Sequence, residues 1–262
     1  MPFSLHMNDQ QIEQLAAEIN INGFARLRDV ISQPELQQLR GFTDAHAQLH
    51  HGEYFAYHGE KALSQSLLGS IWGNPDFKRL VDALYRQATH QESASDRIFP
   101  VLRCVQGNLG QKESNCFHFD ASLVTALVPI FIPTEGSDRG DLMVFPNLRK
   151  VRTNVLLNVI EKALVQNRFT RKLMTLGIDR GWLKPQTIPL VPGDIYLFWG
   201  YRSLHANKAC GAGVKRATAI FHFGDPHAGS LATRLILQFN QRRARRVSDK
   251  TGAQPPKSTL GQ

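Results

Sequence analysis

From Phe99 onwards the chain consists of short apolar segments separated by Gly, Pro and Asn, and this pattern restricts the folds open to it. The segments include "SLVTALVPIFI", "TIPLVPGDIYLFWG" and "RATAIFHFG", which are rich in β-branched and aromatic residues. Helical connections are missing between most of them, which favours antiparallel over parallel pairing. The pattern predicts a mainly β core over about residues 99–225, arranged as a double-sheet jelly roll or an antiparallel barrel.

Helical segments precede this core and interrupt it. Apolar residues at helical spacing predict helices over about 8–20 and 75–91, and Ser32 followed by Pro34 predicts the start of another. A basic helical insert is predicted at about 149–183, between two strands. We therefore expect an α+β protein that is mainly β, with its N-terminal helices packed on one sheet.

Length and composition are those of one globular domain. The 262 residues are 42% hydrophobic and 20% charged, which is ordinary for a folded protein with a substantial core. We predict a single domain over 1–240 and a basic tail at 241–262 that is expected to be disordered. Three scattered cysteines without a CxxC pair indicate a reducing compartment. The N-terminus lacks a signal-peptide pattern and no apolar run approaches a membrane span, so we expect a cytoplasmic location.

The formal net charge of +9 is compatible with an acidic substrate, an anionic membrane surface or nucleic acid. A nucleic-acid partner is not expected, because aromatic residues do not alternate with Lys and Arg along the predicted strands. The insert at 149–183 has four open interpretations. The insert would be an ordinary packed helix with a solvated basic face, or it would contact an anionic membrane, cover the active site or form a dimer contact. The oligomeric state is left undetermined.

The stretch "NCFHFDASLV" places His118 and Asp120 two residues apart. In a strand such residues project to the same face, so an imidazole and a carboxylate would enter one cavity together. An HxD pair alone is unspecific, and a core histidine beside a turn aspartate explains it equally well. His205 in "LHAN" supplies a third candidate metal ligand. His222 in "FHFG" has only Gly224 two residues later, so it is interpreted as a strand histidine that is packed or faces solvent.

A second pair of residues follows His205 along the chain. Arg216 and Thr218, in "RAT", share one face of the next predicted strand. A planar guanidinium beside a hydroxyl is suited to hold a carboxylate, because arginine offers two parallel N–H donors. The sequence therefore predicts a metal site and an anion clamp in the same half of the chain.

The order of these motifs resembles that of the iron(II)- and 2-oxoglutarate-dependent dioxygenases, most closely their phytanoyl-CoA dioxygenase-like branch. The resemblance covers about residues 100–225. The matching segments are "HFD" at 118–120, "ALVPIFIP" followed by "GDLMVFPN", "PGDIYLF", "LHAN" and "RAT". It implies a cupin-like double-stranded β-helix, the jelly-roll form of the core predicted above.

The resemblance also implies roles for particular residues. His118, Asp120 and His205 would hold Fe(II) on one face and leave open positions for 2-oxoglutarate and O2. Arg216 would pair with the far carboxylate of 2-oxoglutarate and Thr218 would add a hydrogen bond. Thr125 is a further candidate to line the co-substrate pocket.

The expected reaction is hydroxylation of an unactivated C–H bond in a small, acidic metabolite, with release of succinate and CO2. Desaturation and cyclisation stay open, whereas halogenation is not expected because halogenating relatives lack the carboxylate that Asp120 supplies. Arg103, Gln106 and Arg202 are candidates to bind an acidic substrate group. Two alternatives remain: the same chemistry on a lipid or lipid-linked sugar acid at the membrane surface, and a jelly roll that binds a metal or small ligand without redox chemistry.

Overall fold

The computed structural model describes residues 3–134, 139–151, 155–165 and 167–227, so the tail predicted at 241–262 lies outside the described residues. Its helices are α1 (Asp9–Asn22), α2 (Gln33–Leu49), α3 (Glu60–Leu63), α4 (Leu68–Trp72), α5 (Pro75–Thr89), α6 (Gly107–Gln111), α7 (Val155–Val165) and α8 (Arg168–Asp179). Its strands are β1 (Ala25–Leu27), β2 (Phe55–His58), β3 (Phe99–Val105), β4 (Val124–Phe131), β5 (Leu142–Phe145), β6 (Gln186–Ile188), β7 (Ile195–Trp199), β8 (Leu204–Asn207) and β9 (Arg216–Phe223).

The strands form two antiparallel sheets. The larger sheet has the strand order β1-β7-β4-β9-β3-β2, and the smaller has the order β6-β5-β8. Strands β4 and β9, in the centre of the larger sheet, come from distant parts of the chain. The structure thus confirms an α+β protein built on antiparallel sheets.

The larger sheet has two different faces, as the alternation along β9 shows. Ala217, Phe221 and Phe223 join the main apolar core together with residues of α1, α2 and α5. The alternate residues of β9 point to the opposite face. The N-terminal helices therefore cover one face of this sheet, as expected, and leave the other face for a cavity.

The helices begin where the sequence predicts them to. The side chain of Asn8 accepts a hydrogen bond from the amide of Gln11 at the start of α1, and Ser32 forms a capping box with Glu35 at the start of α2. The side chain of Asn74 accepts hydrogen bonds from two backbone amides in the first turn of α5. Each cap satisfies backbone N–H groups that have no partner inside the helix.

Two local expectations were wrong. Residues around the HFD motif do not form a regular strand, since His118 pairs only through an isolated bridge with His205. The predicted β-rich part begins with a strand at Phe99, but this strand ends at Val105 and α6 follows. The reason is Gly107, whose φ of 66° turns the chain into a left-handed conformation that a strand does not accommodate.

The insert is fastened to the core by Arg149, which is buried. Its Nε donates to the carbonyl oxygen of Tyr201 (2.6 Å), and its Nη1 donates to Asn158 (3.0 Å) and Glu161 (3.1 Å) of α7. The guanidinium carbon lies 4.0–4.1 Å from the ring centroids of Tyr201 and Phe119. Because Phe119 stands between His118 and Asp120, the insert is tied directly to the HFD segment. Among the described residues, no helix is long and apolar enough to cross a membrane.

The turn before β7 depends on Asp194, whose side chain is only 2% exposed. It accepts hydrogen bonds from Arg26 Nε (2.5 Å) and from the amide of Asp29 (2.9 Å). The substitution Asp194→Ala leaves both donors without their acceptor, and we expect the free energy of unfolding to fall by about 2–4 kcal/mol. Urea denaturation followed by circular dichroism measures this change.

The matched control is Asp96→Ala, which removes a carboxylate at an exposed position. We expect it to change the free energy of unfolding by less than about 0.5 kcal/mol. Equal losses in the two variants would contradict a structural role for the Asp194 turn.

Candidate metal centre

Three side chains from two distant parts of the chain meet between the two sheets. The backbones of His118 and His205 exchange two hydrogen bonds (3.0 and 3.1 Å), and the amide of Asp120 donates to the carbonyl oxygen of Gly200 (3.0 Å). One ligand atom from each of His118, Asp120 and His205 lies within 4.8 Å of the others. The structure thus brings together the HxD pair and the distant histidine of the predicted triad.

The distances among these atoms fit a shared metal ion. The Nε2 atoms of His118 and His205 each lie 3.6 Å from Oδ1 of Asp120. Two donors that bind one ion at about 2.1 Å are at most about 4.2 Å apart, so both pairs meet this condition. Two imidazoles and one carboxylate are the donor set of the facial triad that binds non-haem Fe(II).

The protonation states also suit a metal. Nδ1 of His118 lies 2.9 Å from the carbonyl oxygen of Cys116, and Nδ1 of His205 lies 3.0 Å from that of Ser203. A carbonyl oxygen only accepts hydrogen bonds, so Nδ1 carries the proton in each ring and Nε2 keeps its lone pair for a ligand role.

Burial and neighbouring groups shift the pKa values of His118 and Asp120 towards the forms that bind a metal. Desolvation, with the nearby His205, lowers the pKa of His118 to about 4, so the ring is neutral at pH 7. Desolvation opposes ionisation of Asp120, but His205, His222 and His118 together with a hydrogen bond from Thr125 outweigh it and hold the carboxyl pKa below its usual range. Neutral imidazole and ionised carboxylate are the forms that bind a divalent cation.

Thr125 and His222 hold the other oxygen of the carboxylate. The hydroxyl of Thr125 donates to Oδ2 of Asp120 (2.6 Å), and Nδ1 of His222 lies 3.7 Å from the same atom. The two residues are opposite each other in the pairing of β4 with β9. Thr125 lines the cavity, and its hydrogen bond orients the carboxylate of Asp120; a contact with the co-substrate stays a prediction.

The expectation that His222 is packed or faces solvent is wrong, because its side chain lies on the wall of the cavity. It lines the cavity with Arg216, Thr218 and Ile220, every second residue of β9. The alternation rule that places Arg216 beside Thr218 reaches His222 two steps further along the strand. Strand alternation therefore predicts that His222 faces the cavity.

The anion clamp predicted from the sequence opens onto the same cavity. Arg216 is 2% exposed, and its Nε donates to the carbonyl oxygen of Gly140 (2.6 Å). Burial lowers the pKa of Arg216 to about 10, so it is charged at pH 7. Within the described part of the chain, no carboxylate forms an ion pair with it and the buried hydroxyl of Thr218 has no hydrogen-bond partner. A buried cation beside an unsatisfied hydroxyl is the chemistry of an anion site.

Of the three candidates for substrate binding, Arg103, Gln106 and Arg202, only Arg103 lines the cavity. Arg103 lines the cavity beside Thr218, its partner in the β3–β9 pairing, and it also contacts Glu113 (3.1 Å) and Asn207 (3.3 Å). The apolar part of the wall comes from Leu127, Leu142, Phe198 and Ile220. The cavity has a volume of about 60 Å³ and is partly open to solvent.

Gln106 and Arg202 are not brought to the cavity, which corrects their expected role. Gln106 follows the end of β3, and its side chain donates to the backbone of Glu53 (3.1 Å). Arg202 lies in the turn after β7 and reaches outward to Asn20 (3.3 Å). Both are close in sequence to site residues, but each lies where strand alternation has ended.

Comparison with known proteins finds relatives by structure alone. No family model matches this sequence, and no curated protein matches it. A prolyl 4-hydroxylase from Phytophthora capsici is 12% identical, with a TM-score of 0.55 over 87% of this chain and 69% of its own. HygX from Streptomyces hygroscopicus, solved with nickel and 2-oxoglutarate bound, is 14% identical, with a TM-score of 0.55 over 80% of this chain and 86% of its own.

A third similar structure is the epimerase SnoN in complex with Fe3+, alpha-ketoglutarate and nogalamycin RO. It is 16% identical, with a TM-score of 0.51 over 83% of this chain and 85% of its own. At these identities the comparisons establish a shared fold. None of the three is a phytanoyl-CoA dioxygenase, so that branch stays a prediction.

Gly200 leaves the space that the metal centre needs. A Cβ at this position would overlap with Oδ2 of Asp120 and with the hydroxyl of Thr125. We expect Gly200→Ala to displace the carboxylate and weaken Ni(II) binding about 10–100-fold, the range found when the groups that orient a metal ligand are lost. Isothermal titration calorimetry with Ni(II) measures the affinity.

Gly213→Ala is the matched control, since nothing lies within 4 Å of a Cβ built at that position. Its Ni(II) affinity should equal that of the unchanged protein. If Gly200→Ala also binds Ni(II) normally while remaining folded, the close approach of Gly200 to Asp120 has no role in the metal site.

Proposed function

We propose that the protein is an Fe(II)- and 2-oxoglutarate-dependent oxygenase with a jelly-roll core, which hydroxylates a C–H bond of a small molecule. The observation that carries this proposal is the shared cavity of two sites. The His118–Asp120–His205 triad and the buried Arg216–Thr218 pair open onto one space. A metal and a dicarboxylate that bridges from the metal to an arginine would both be held there.

The reaction balances with three substrates. One C–H bond, one 2-oxoglutarate and one O2 give an alcohol, succinate and CO2, with one oxygen atom entering the alcohol and the other entering succinate. Fe(II), when bound with 2-oxoglutarate, supplies the activation of O2. His118, Asp120 and His205 would hold the ion, and three ligands on one face leave positions open for the co-substrate and O2.

The co-substrate would be oriented by β9. Arg216 offers a guanidinium fork to the far carboxylate of 2-oxoglutarate, and Thr218 donates a hydrogen bond beside it. Because the side chain of Arg216 is fixed by the carbonyl oxygen of Gly140, little side-chain entropy is lost when the carboxylate binds. Solved neighbours that carry nickel or Fe3+ with 2-oxoglutarate support this assignment.

Hydroxylation is the variant of this chemistry that the site supports best. The presence of Asp120 leaves no free position for a halide, and desaturation or cyclisation would use the same groups. A binding protein without redox chemistry would need the triad but gives no reason for a buried, unpaired Arg216. The order of the "HFD", "PGDIYLF" and "RAT" segments supports the phytanoyl-CoA dioxygenase-like branch.

The substrate is proposed to be a small, acidic metabolite. Arg103 lies on the cavity wall and is 18% exposed, with its charge partly offset by Glu113. A guanidinium in that position suits a substrate carboxylate or phosphate. The three cysteines, Cys104, Cys116 and Cys210, are all free, which supports a reducing compartment such as the cytoplasm.

The first test is anaerobic absorption spectroscopy of the Fe(II)-loaded protein with 2-oxoglutarate. Chelation of the keto acid at a ferrous ion should produce a weak visible charge-transfer band. Asp120→Ala removes one of three ligands, so we expect the band to disappear while circular dichroism shows that the fold is kept. Iron binding without the band in the unchanged protein would overturn the oxygenase proposal in favour of a metal-binding protein without redox chemistry.

The clamp predicts a separate effect on the co-substrate. Arg216→Met should raise the 2-oxoglutarate concentration for half-saturation of the band about 100-fold, since a charge-assisted bidentate contact is worth about 3 kcal/mol. Thr218→Val keeps the shape of the side chain and should raise it about 5–10-fold. Calorimetry with Ni(II) alone should show an unchanged metal affinity in both variants. Equal losses of metal and 2-oxoglutarate affinity would contradict the clamp role.

A further inference from the structure

The α7–α8 hairpin and the turn after it expose an unusual amount of apolar surface. Fourteen large apolar side chains are exposed in the described part of the chain, and seven of them fall between residues 160 and 183. Scattered exposed apolar residues are normal, whereas a concentration such as this one marks a contact surface. We call the following residues the insert face: Ile160, Leu164, Phe169, Leu173, Leu176 and Trp182.

Helix α8 carries apolar residues on two opposite sides. Met174 and Ile178 pack inward against the cluster that contains Phe117 and Phe119. Phe169, Leu173 and Leu176, spaced i, i+4 and i+7, share the outward side and are 71%, 51% and 41% exposed. The inward side packs against the core cluster, so the outward stripe is left uncovered and is available for a contact with another surface.

The helix is also held in this orientation by hydrogen bonds. Arg171 Nη2 donates to the carbonyl oxygens of Lys112 (2.9 Å) and Ser114 (2.5 Å), next to the HFD segment. At the hairpin tip, the carbonyl oxygen of Leu164 accepts from the hydroxyl of Thr170 (2.7 Å) and from the side chain of Asn167 (2.6 Å). These bonds keep α8 from rolling to bury its outward stripe.

Positive charge surrounds the insert face. Lys172, Arg180 and Lys184 are exposed, and the guanidinium of Arg180 lies 5.1 Å from the ring centroid of Trp182. Asp179 is the one acidic residue in the sequence between 167 and 184. A second copy of this chain is therefore a poor partner, because a two-fold contact would place each of these cations near its own counterpart.

We propose that the insert face is a docking surface for an anionic lipid bilayer, with its aromatic and leucine side chains among the headgroups and its lysine and arginine residues against lipid phosphates. A helix with Phe, Leu and Trp on one side and cations at the rim has the composition of interfacial helices that lie on a membrane without crossing it. Docking would bring the HFD segment within about one helix diameter, about 10 Å, of the bilayer surface. The inference does not depend on the proposed oxygenase activity.

The test is flotation of the full chain with vesicles of two compositions: pure phosphatidylcholine, and phosphatidylcholine mixed with phosphatidylglycerol. We expect the protein to float with the anionic vesicles only, and the bound fraction to fall as salt is raised, because the charges at the rim are exposed. Absence of binding to the anionic vesicles would overturn the proposal.

The double variant Phe169→Gln/Leu173→Gln removes two apolar side chains from the outward side of α8. It should weaken binding to the anionic vesicles at least about tenfold, given the gain from burying such side chains. The control Ile21→Gln/Leu49→Gln removes two apolar side chains outside the insert that are more exposed (81% and 70%) than the pair in α8 (71% and 51%). It should bind as the unchanged protein does, and equal losses in the two double variants would contradict docking through the insert face.

Light scattering without vesicles measures whether a second copy of the chain binds to the insert face. We expect the same mass before and after Phe169→Gln/Leu173→Gln. A dimer that dissociates only in this variant would assign the insert face to a second copy and overturn the membrane proposal. None of these measurements uses iron or 2-oxoglutarate, so their outcome is independent of the test of the oxygenase function.

Discussion

The burial of one carboxylate organises the site. Asp120 is ionised in an environment where an unpaired charge is unfavourable, and groups from several elements stabilise its charge. The two histidines of the triad face one oxygen, while Thr125 and His222 hold the other. Only a glycine at position 200 allows so close an approach. The same contacts that stabilise the charge also present one carboxylate oxygen to a metal.

A second buried charge, that of Arg216, lines the same cavity. Arg216 is desolvated and fixed by one carbonyl oxygen, yet in the described part of the chain it has no carboxylate partner. A buried cation without a charged partner lowers the stability of a protein unless a ligand compensates it. A candidate cation-binding triad and a buried guanidinium on the wall of one cavity suit a ligand that is negatively charged at more than one group. That complementarity is the physical argument for the proposed 2-oxo dicarboxylate co-substrate.

The helical insert connects this site to the surface of the molecule. Arg149 lies between the rings of Phe119 and Tyr201 and holds α7, while α8 packs on Phe117 and Phe119. These two phenylalanines stand on either side of His118. The motif that carries two of the candidate metal ligands thus packs against the insert, and one layer of side chains separates it from α8.

Local patterns in the sequence predicted the main helices and the β core, while the triad was a prediction from the resemblance to a known family. Capping residues such as Asn8 and Ser32 mark helix starts because they satisfy the first amides of a helix, and alternation placed Arg216 and Thr218 on one face because strand periodicity is two. Strand alternation does not extend to Gln106 and Arg202, the two candidates that were predicted to bind substrate but do not line the cavity. Gln106 follows a left-handed glycine at the end of β3, and Arg202 lies in a turn, so neither side chain reaches the cavity despite a neighbouring site residue.

Spacing within short segments was enough to predict the antiparallel β core, the N-terminal helices and the HxD pair, whereas His205 was assigned as a ligand from the resemblance to a known family. Which residues face one another across strands that are far apart in the chain depends on the tertiary structure. The pairing of β4 with β9 sets His222 opposite Thr125, and the single bridge between His118 and His205 sets the spacing of the triad. Register between distant strands depends on the packing of both faces of a sheet, and no single segment contains that information.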